Sequence, residues 1–168
     1  MPSKKPRFTV LRDTAEHEGH GWNFAPSQVC SGTVERNLFT GDYSLDGLEQ
    51  EKIFVVERKG SLSEFYGNLT NDWTRFNDEL QRLDEFKFPY LVLEFLPGDI
   101  TWFPRGSGIP RGVIRMSNPP DFIIRKLWEI ELKHKTRVMF VGKYSERYML
   151  SLFKRMAELY SDKLLCPV

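Results

Sequence analysis

Along the chain the spacing of apolar residues changes period several times, and each change marks an element. Residues 8–12 (F-T-V-L-R) are apolar and β-prone, predicting a first strand that delivers Asp13 and Glu16 at its C-terminal end. Residues 29–35 alternate loosely and read as a further strand or an extended approach. Residues 38–43 read as a short strand with Asp42 near its end, and Asp46-Gly47 as a turn. Residues 52–59 carry Ile53, Phe54, Val55 and Val56 on both faces, the pattern of a buried strand.

Beyond Gly60 the period becomes helical. Ser61 and Glu64 fit a capping box, followed by Leu62, Phe65, Tyr66 and Leu69. Trp73, Phe76, Leu80 and Leu83 form a second stripe. Residues 90–95 (Y-L-V-L-E-F) have a central-strand pattern interrupted by Glu94, an acid that is costly there unless paired or close to a site. A helix is predicted from Ser117 to His134 with Phe122, Ile123, Leu127, Ile130 and Leu132, with His134 as a surface residue at its end. A last core strand follows at 136–142. A terminal helix at 144–160 turns Tyr148, Leu152, Met156 and Leu159 inward, on a face wide enough to serve a homodimer as well. The order β-β-β-α-(α)-β-α-β-α predicts an α/β fold with a mixed central β-sheet flanked by helices.

Composition narrows the class. The chain has 168 residues, 40% hydrophobic and 14% aromatic, enough for one domain with a real core. The expected organisation is a flexible basic tail at 1–7 and a single domain at 8–164. No apolar run reaches membrane-span length, and no signal peptide opens the chain. Cys30 and Cys166 make neither a disulfide framework nor a metal pair, which fits an intracellular setting. Net charge is only +1, but residues 1–99 sum to −6 and residues 100–168 to +7. That asymmetry suits acids gathered around a metal in one part and basic side chains offered to a polyanion in another.

The candidate chemistry sits around the third and fourth of these apolar stretches. Were the strands at 38–43 and 52–59 paired as a hairpin, Asp42 would face Glu57. Alternation places Glu57 and Lys59 together and turns Arg58 to the other side. Two carboxylates can hold Mg²⁺, which retains waters and accepts phosphate oxygens, and the lysine can position a water or neutralise developing charge. Such a group suits hydrolysis of a nucleic-acid phosphodiester. Glu16-His17-Glu18-Gly19-His20 reads as a flexible loop, with no second cluster to complete a transition-metal site. Residues 96–120 form a long Gly- and Pro-rich stretch with two large aromatics and Arg105, Arg111 and Arg115, suited to bases and phosphates. Arg75 lies off its helical stripe and within reach of the same ligand.

The segments G-D-Y at 41–43 and V-V-E-R-K-G-S-L-S-E at 55–64 resemble the signature of XPF-type structure-specific nucleases, G-D-x(n)-E-R-K-x-x-x-D, in the PD-(D/E)XK superfamily. Asp13 to Glu16 resembles the family's D-x-R-E segment, and Arg75-Phe76-x-x-Glu79-Leu80 a later pattern. Ala15 and Ser63 depart from it, standing where the family has arginine and aspartate. The resemblance implies a restriction-endonuclease-like fold and Mg²⁺-dependent cleavage of branched, flap or junction DNA, with Mn²⁺ able to substitute. Asp42 and Glu57 would bind metal and Lys59 assist the water. Asp13 and Glu16 would complete or tune the metal shell, and Arg58 would give structural or substrate support. The alternatives are a catalytically silent DNA-binding subunit, or an exonuclease or Holliday-junction resolvase of the same superfamily. XPF-type proteins usually add a helix-hairpin-helix module, for which residues after Leu164 leave no room. The resemblance therefore implies a homodimer, a partner carrying a DNA-binding module, or a stand-alone enzyme in a bacterial or phage cytoplasm.

Overall fold

A six-stranded sheet in the order β2-β1-β3-β4-β5-β6 forms the centre of the molecule. A computed structural model describes residues 6–16 and 20–165. The expectations for the start of the basic tail, for His17 to Gly19 and for Cys166 lie outside the described residues.

The strands are β1 (Phe8–Asp13), β2 (Cys30–Arg36), β3 (Tyr43–Leu45), β4 (Phe54–Lys59), β5 (Phe88–Leu93) and β6 (Arg137–Phe140). Only β3 runs against its neighbours: it pairs antiparallel with β1 and β4, while the β1–β2, β4–β5 and β5–β6 ladders are parallel. The C-terminal ends of β1, β4 and β5 therefore share one edge of the sheet with the start of β3. In open α/β sheets that edge is where ligands bind.

Among the described residues five α-helices cover the two faces: α1 (Leu62–Leu69), α2 (Trp73–Leu83), α3 (Pro97–Thr101), α4 (Pro119–Lys133) and α5 (Ser145–Leu159). Alternation along β4 sorts its side chains. Val55 packs with Phe65, Phe76, Leu80 and Ile123 under α1, α2 and α4. Phe54 and Val56 pack with Trp22, Phe24 and Phe153 under α5. Glu57 and Lys59 thus face α1 and α2, while Arg58 faces the α5 side.

Several boundaries and faces differ from the sequence reading. The short strand expected at 38–43 pairs only over Tyr43–Leu45, because Gly41 takes a φ of +75° and bends the chain just before it. The stretch at 29–35 is a full strand, so four strands precede the first helix. The 90–95 strand starts two residues earlier and ends at Leu93, leaving Glu94 just past its end. Residues 96–120 are more built than a loop, holding α3, a 3-10 turn at Arg111–Val113, and Ile100 and Phe103 in the core. On α4, Leu132 is exposed and not inward. His134 is tucked in, its Nδ1 lying 2.8 Å from Asp84 Oδ2.

On α5 the inward stripe is Met149, Phe153, Met156 and Ala157, with Tyr148 and Leu159 exposed. Two apolar stripes lie one residue apart there. The one carrying Phe153 is buried because its ring meets Phe24 and Phe54 edge-on, at 5.4 and 5.7 Å between centroids.

Candidate active site

Asp42 is placed by backbone geometry. Its N–H donates to Val56 O at 2.8 Å, its carbonyl accepts from Asp13 N at 2.8 Å, and its Oδ2 accepts the Arg58 N–H at 2.7 Å. With Tyr43 paired to Val56, Asp42 comes opposite Glu57. Gly41 makes this approach feasible, since a Cβ there would stand 2.6 Å from Val55 Cγ2 and 3.0 Å from Val56 O.

Glu57 and Lys59 project from the same face of β4. Lys59 Nζ donates to Glu57 Oε1 at 2.6 Å and lies 5.0 Å from the centre of the Phe76 ring. Both are nearly enclosed, at 2% and 6% exposure. They open onto a cleft of about 850 Å³ whose lining includes Asp42, Glu16, Glu64, Asn68, Arg75 and Glu79. The α1 helix borders it, with its N-terminus fixed by Ser61 Oγ accepting the Glu64 N–H at 3.1 Å.

Burial sets the electrostatics. It pushes the Glu57 carboxyl up to about 8, with the Glu79 charge adding to the rise and Lys59 opposing it. Asp42 is held well above the usual carboxylate range, by burial first and then by repulsion from Glu57. Lys59 loses by burial but gains more from Glu57 and Asp42, so its ammonium stays charged. Two buried acids that resist ionising together become stable as a charged pair when a cation joins them.

The donor set fits a hard divalent cation. Glu57 Oε2 is buried with no hydrogen-bond partner, and oxygen ligands are what Mg²⁺ prefers. Among the described residues no three His, Cys, Asp or Glu side chains are grouped as a protein-only cage. Asp42 and Glu57 would supply the protein ligands, with water and phosphate oxygens completing the shell.

The remaining sequence candidates separate into three groups. Glu16 and Arg58 form an ion pair at 3.0 Å, and Arg58 also meets Glu94 Oε2 at 2.6 Å. Glu94 Oε1 in turn accepts from Trp22 Nε1 at 2.7 Å and from the Ser145 hydroxyl. Asp13 is not among the residues lining the cleft. Its Oδ1 accepts the Ala15 N–H at 3.0 Å and its Oδ2 the Leu38 N–H at 3.5 Å, so the carboxylate holds the turn after β1. Arg75 is exposed on the cleft wall, 3.7 Å from Asp72. Arg105 lines a neighbouring hollow, Arg111 a third, and Arg115 is exposed on the surface.

The sequence carries Glu79 only as part of a pattern and points to Trp22 only as an aromatic packed over the sheet, where it is indeed buried, while Asn68 and Ser145 were passed over. Glu79 was visible as the acid three residues after Phe76, at the edge of the α2 stripe. The contacts of Trp22 and Ser145 with Glu94 had no signal, because they span 72 and 51 residues. Of the two departures, Ser63 donates to Ser107 O at 2.6 Å, tying α1 to the loop after α3.

No family model and no curated protein sequence matches the chain. Solved structures do. The chain is similar to XPF from Aeropyrum pernix, with a TM-score of 0.59 at 19% identity over 92% of this chain and 67% of that one. It is similar also to XPF from Aeropyrum pernix in complex with DNA, with a TM-score of 0.59 at 20% identity over 96% and 69%. The fold is therefore that of XPF from Aeropyrum pernix, a mixed sheet flanked by helices, as the sequence resemblance implied.

Proposed function

We propose that the chain is a divalent-metal-dependent DNA endonuclease acting on branched, flap or junction DNA. The observation that carries the reading is the convergence of Asp42, Glu57 and Lys59 at the C-terminal edge of the sheet, in a cleft open to solvent. The similar fold of a protein solved in complex with DNA supports it.

Bound Mg²⁺ would acidify a water and offset charge on the phosphate under attack. The protein's own residues do the rest. Asp42, just before β3, and Glu57, on β4, would supply the carboxylate oxygens that hold the cation. Lys59 keeps its proton and holds its ammonium beside Glu57, where it can orient the nucleophilic water or meet charge growing on a phosphate oxygen. Arg58 leaves β4 on the opposite face, fixes the strand's end through Glu16 and Glu94, and still reaches the wall of the cleft, so its part is to position the site. Arg75, on the open wall, would meet a backbone phosphate.

Ser63 and Ala15 give a second reading a foothold, a DNA-binding subunit that does not cleave. Incubation in Mg²⁺ with closed circular DNA carrying an extruded cruciform, and with linear DNA carrying the same four-way junction, separates the possibilities. An endonuclease nicks or opens the circle. Cleavage confined to linear DNA would indicate an exonuclease, and tight metal-independent binding without cleavage would indicate the silent subunit.

A further inference from the structure

Beside the cleft lies a second hollow of about 540 Å³, and the two share Gly60, Ser61 and Ser63 as a common rim. Trp102 stands at this hollow with 64% of its surface exposed. Arg105 lies over its ring, 5.8 Å from the centre. An indole left in water at the border of a polar cleft serves neither the core nor the carboxylate site.

The segment that carries it is firmly held. Ile100 and Phe103, on either side of Trp102, are buried, and Phe103 packs on Tyr66 at 4.8 Å between ring centroids. The Ser63 hydroxyl ties the following turn to α1 through Ser107 O. The two acids of the hollow are already engaged: Glu94 pairs with Arg58, and Asp99 accepts the Leu96 N–H at 2.7 Å. What the hollow offers a ligand is therefore an aromatic face with a guanidinium beside it.

We infer that Trp102 and Arg105 form a stacking platform for an unpaired base of a DNA branch, set next to the cleavage cleft. This rests on the reading of that cleft as a DNA-cleaving site. An aromatic face accepts any base, whereas the base pairs of a continuous duplex keep their faces stacked on one another, so the platform selects DNA with an unpaired strand near the cut. Arg105 adds a charge toward the phosphate of the stacked nucleotide. Ser63 then has a use that an acid would not serve as well, since a carboxylate cannot donate to the Ser107 carbonyl.

The test uses the full chain with flap DNA of either polarity, carrying 2-aminopurine at the first unpaired nucleotide, and a matched continuous duplex. Ca²⁺ replaces Mg²⁺ to hold off cleavage. Binding should quench the 2-aminopurine fluorescence, and Trp102→Phe should keep the quench. Trp102→Ala should abolish it and narrow the flap-over-duplex preference about tenfold. Because Trp102 is exposed, an unchanged melting temperature checks that the variant is folded. Absence of quench with the wild type, persistence of quench in Trp102→Ala, or an unchanged preference would overturn the platform while leaving the cleavage reading intact. Failure of the wild type to bind any DNA would overturn both.

Discussion

Gly41 shows how one residue type makes the site. At its φ of +75°, and with Val55 Cγ2 only 2.6 Å from where a Cβ would sit, no other residue lets Asp42 approach Glu57 unstrained. Gly41→Ala should destabilise the protein by about 2 kcal/mol, measured by urea denaturation, and shift Asp42 away from Glu57. Glu57 makes the second case. Its raised carboxyl means that folding takes up a proton between the ordinary carboxylate range and about 8. Metal-free stability should fall with rising pH across that window and level off above it. Asp42 acts in the same direction. Melting curves from pH 5 to 8.5 should show the fall, flattened in Glu57→Gln. Mg²⁺ should raise the wild-type melting temperature more at pH 8 than at pH 6. An equal rise at both would mean that no cation engages Glu57.

Among the elements, β4 is where sequence and structure agree most closely. Its apolar run and its E-R-K ending dictate burial and alternation together, so the partition of Glu57 and Lys59 from Arg58 was legible without coordinates. The fate of Arg58 was not. Its partners Glu16 and Glu94 come from β1's trailing turn and from the end of β5, and only the sheet brings them together, with β3 joining β1 to β4 on one side and β5 lying parallel to β4 on the other. On α5 the expected Met156 is buried, but the inward places expected for Tyr148 and Leu159 belong to Met149 and Phe153, because the two stripes are nearly equally periodic and the choice between them depends on Phe24 and Phe54 elsewhere in the chain. The stretch at 96–120 hid its core anchors, Ile100 and Phe103, among glycines and prolines that read as loop. The Glu94 junction yields a test at this scale. Glu94→Ala would leave the Arg58 guanidinium with Glu16 as its one carboxylate and the Trp22 indole N–H with the Ser145 hydroxyl, at 3.0 Å, as its remaining acceptor. It should cost about 3 kcal/mol, read as a lower denaturation midpoint. A loss below 1 kcal/mol would mean that the network does not hold the end of β4.

At the scale of the whole molecule, the topology gathers chemistry that the sequence scatters. Reversing β3 alone within an otherwise parallel sheet puts Asp42 at the same edge as the ends of β1, β4 and β5. The acid-rich first part of the chain then supplies the carboxylates, and the loop after α3 brings Trp102 and Arg105 to the border of the same cleft. No helix among the described residues is long and apolar enough to cross a membrane.

The most direct measurement is single-turnover cleavage of end-labelled duplex, single-stranded, flap, fork and four-way-junction DNA in Mg²⁺ and in Mn²⁺. Wild type would be compared with Glu57→Ala and Lys59→Ala, each first checked for folding. The account predicts metal-dependent cleavage that favours a branched substrate and that both substitutions abolish. Cleavage that survives either substitution in the folded variants, or that proceeds in EDTA, would contradict it.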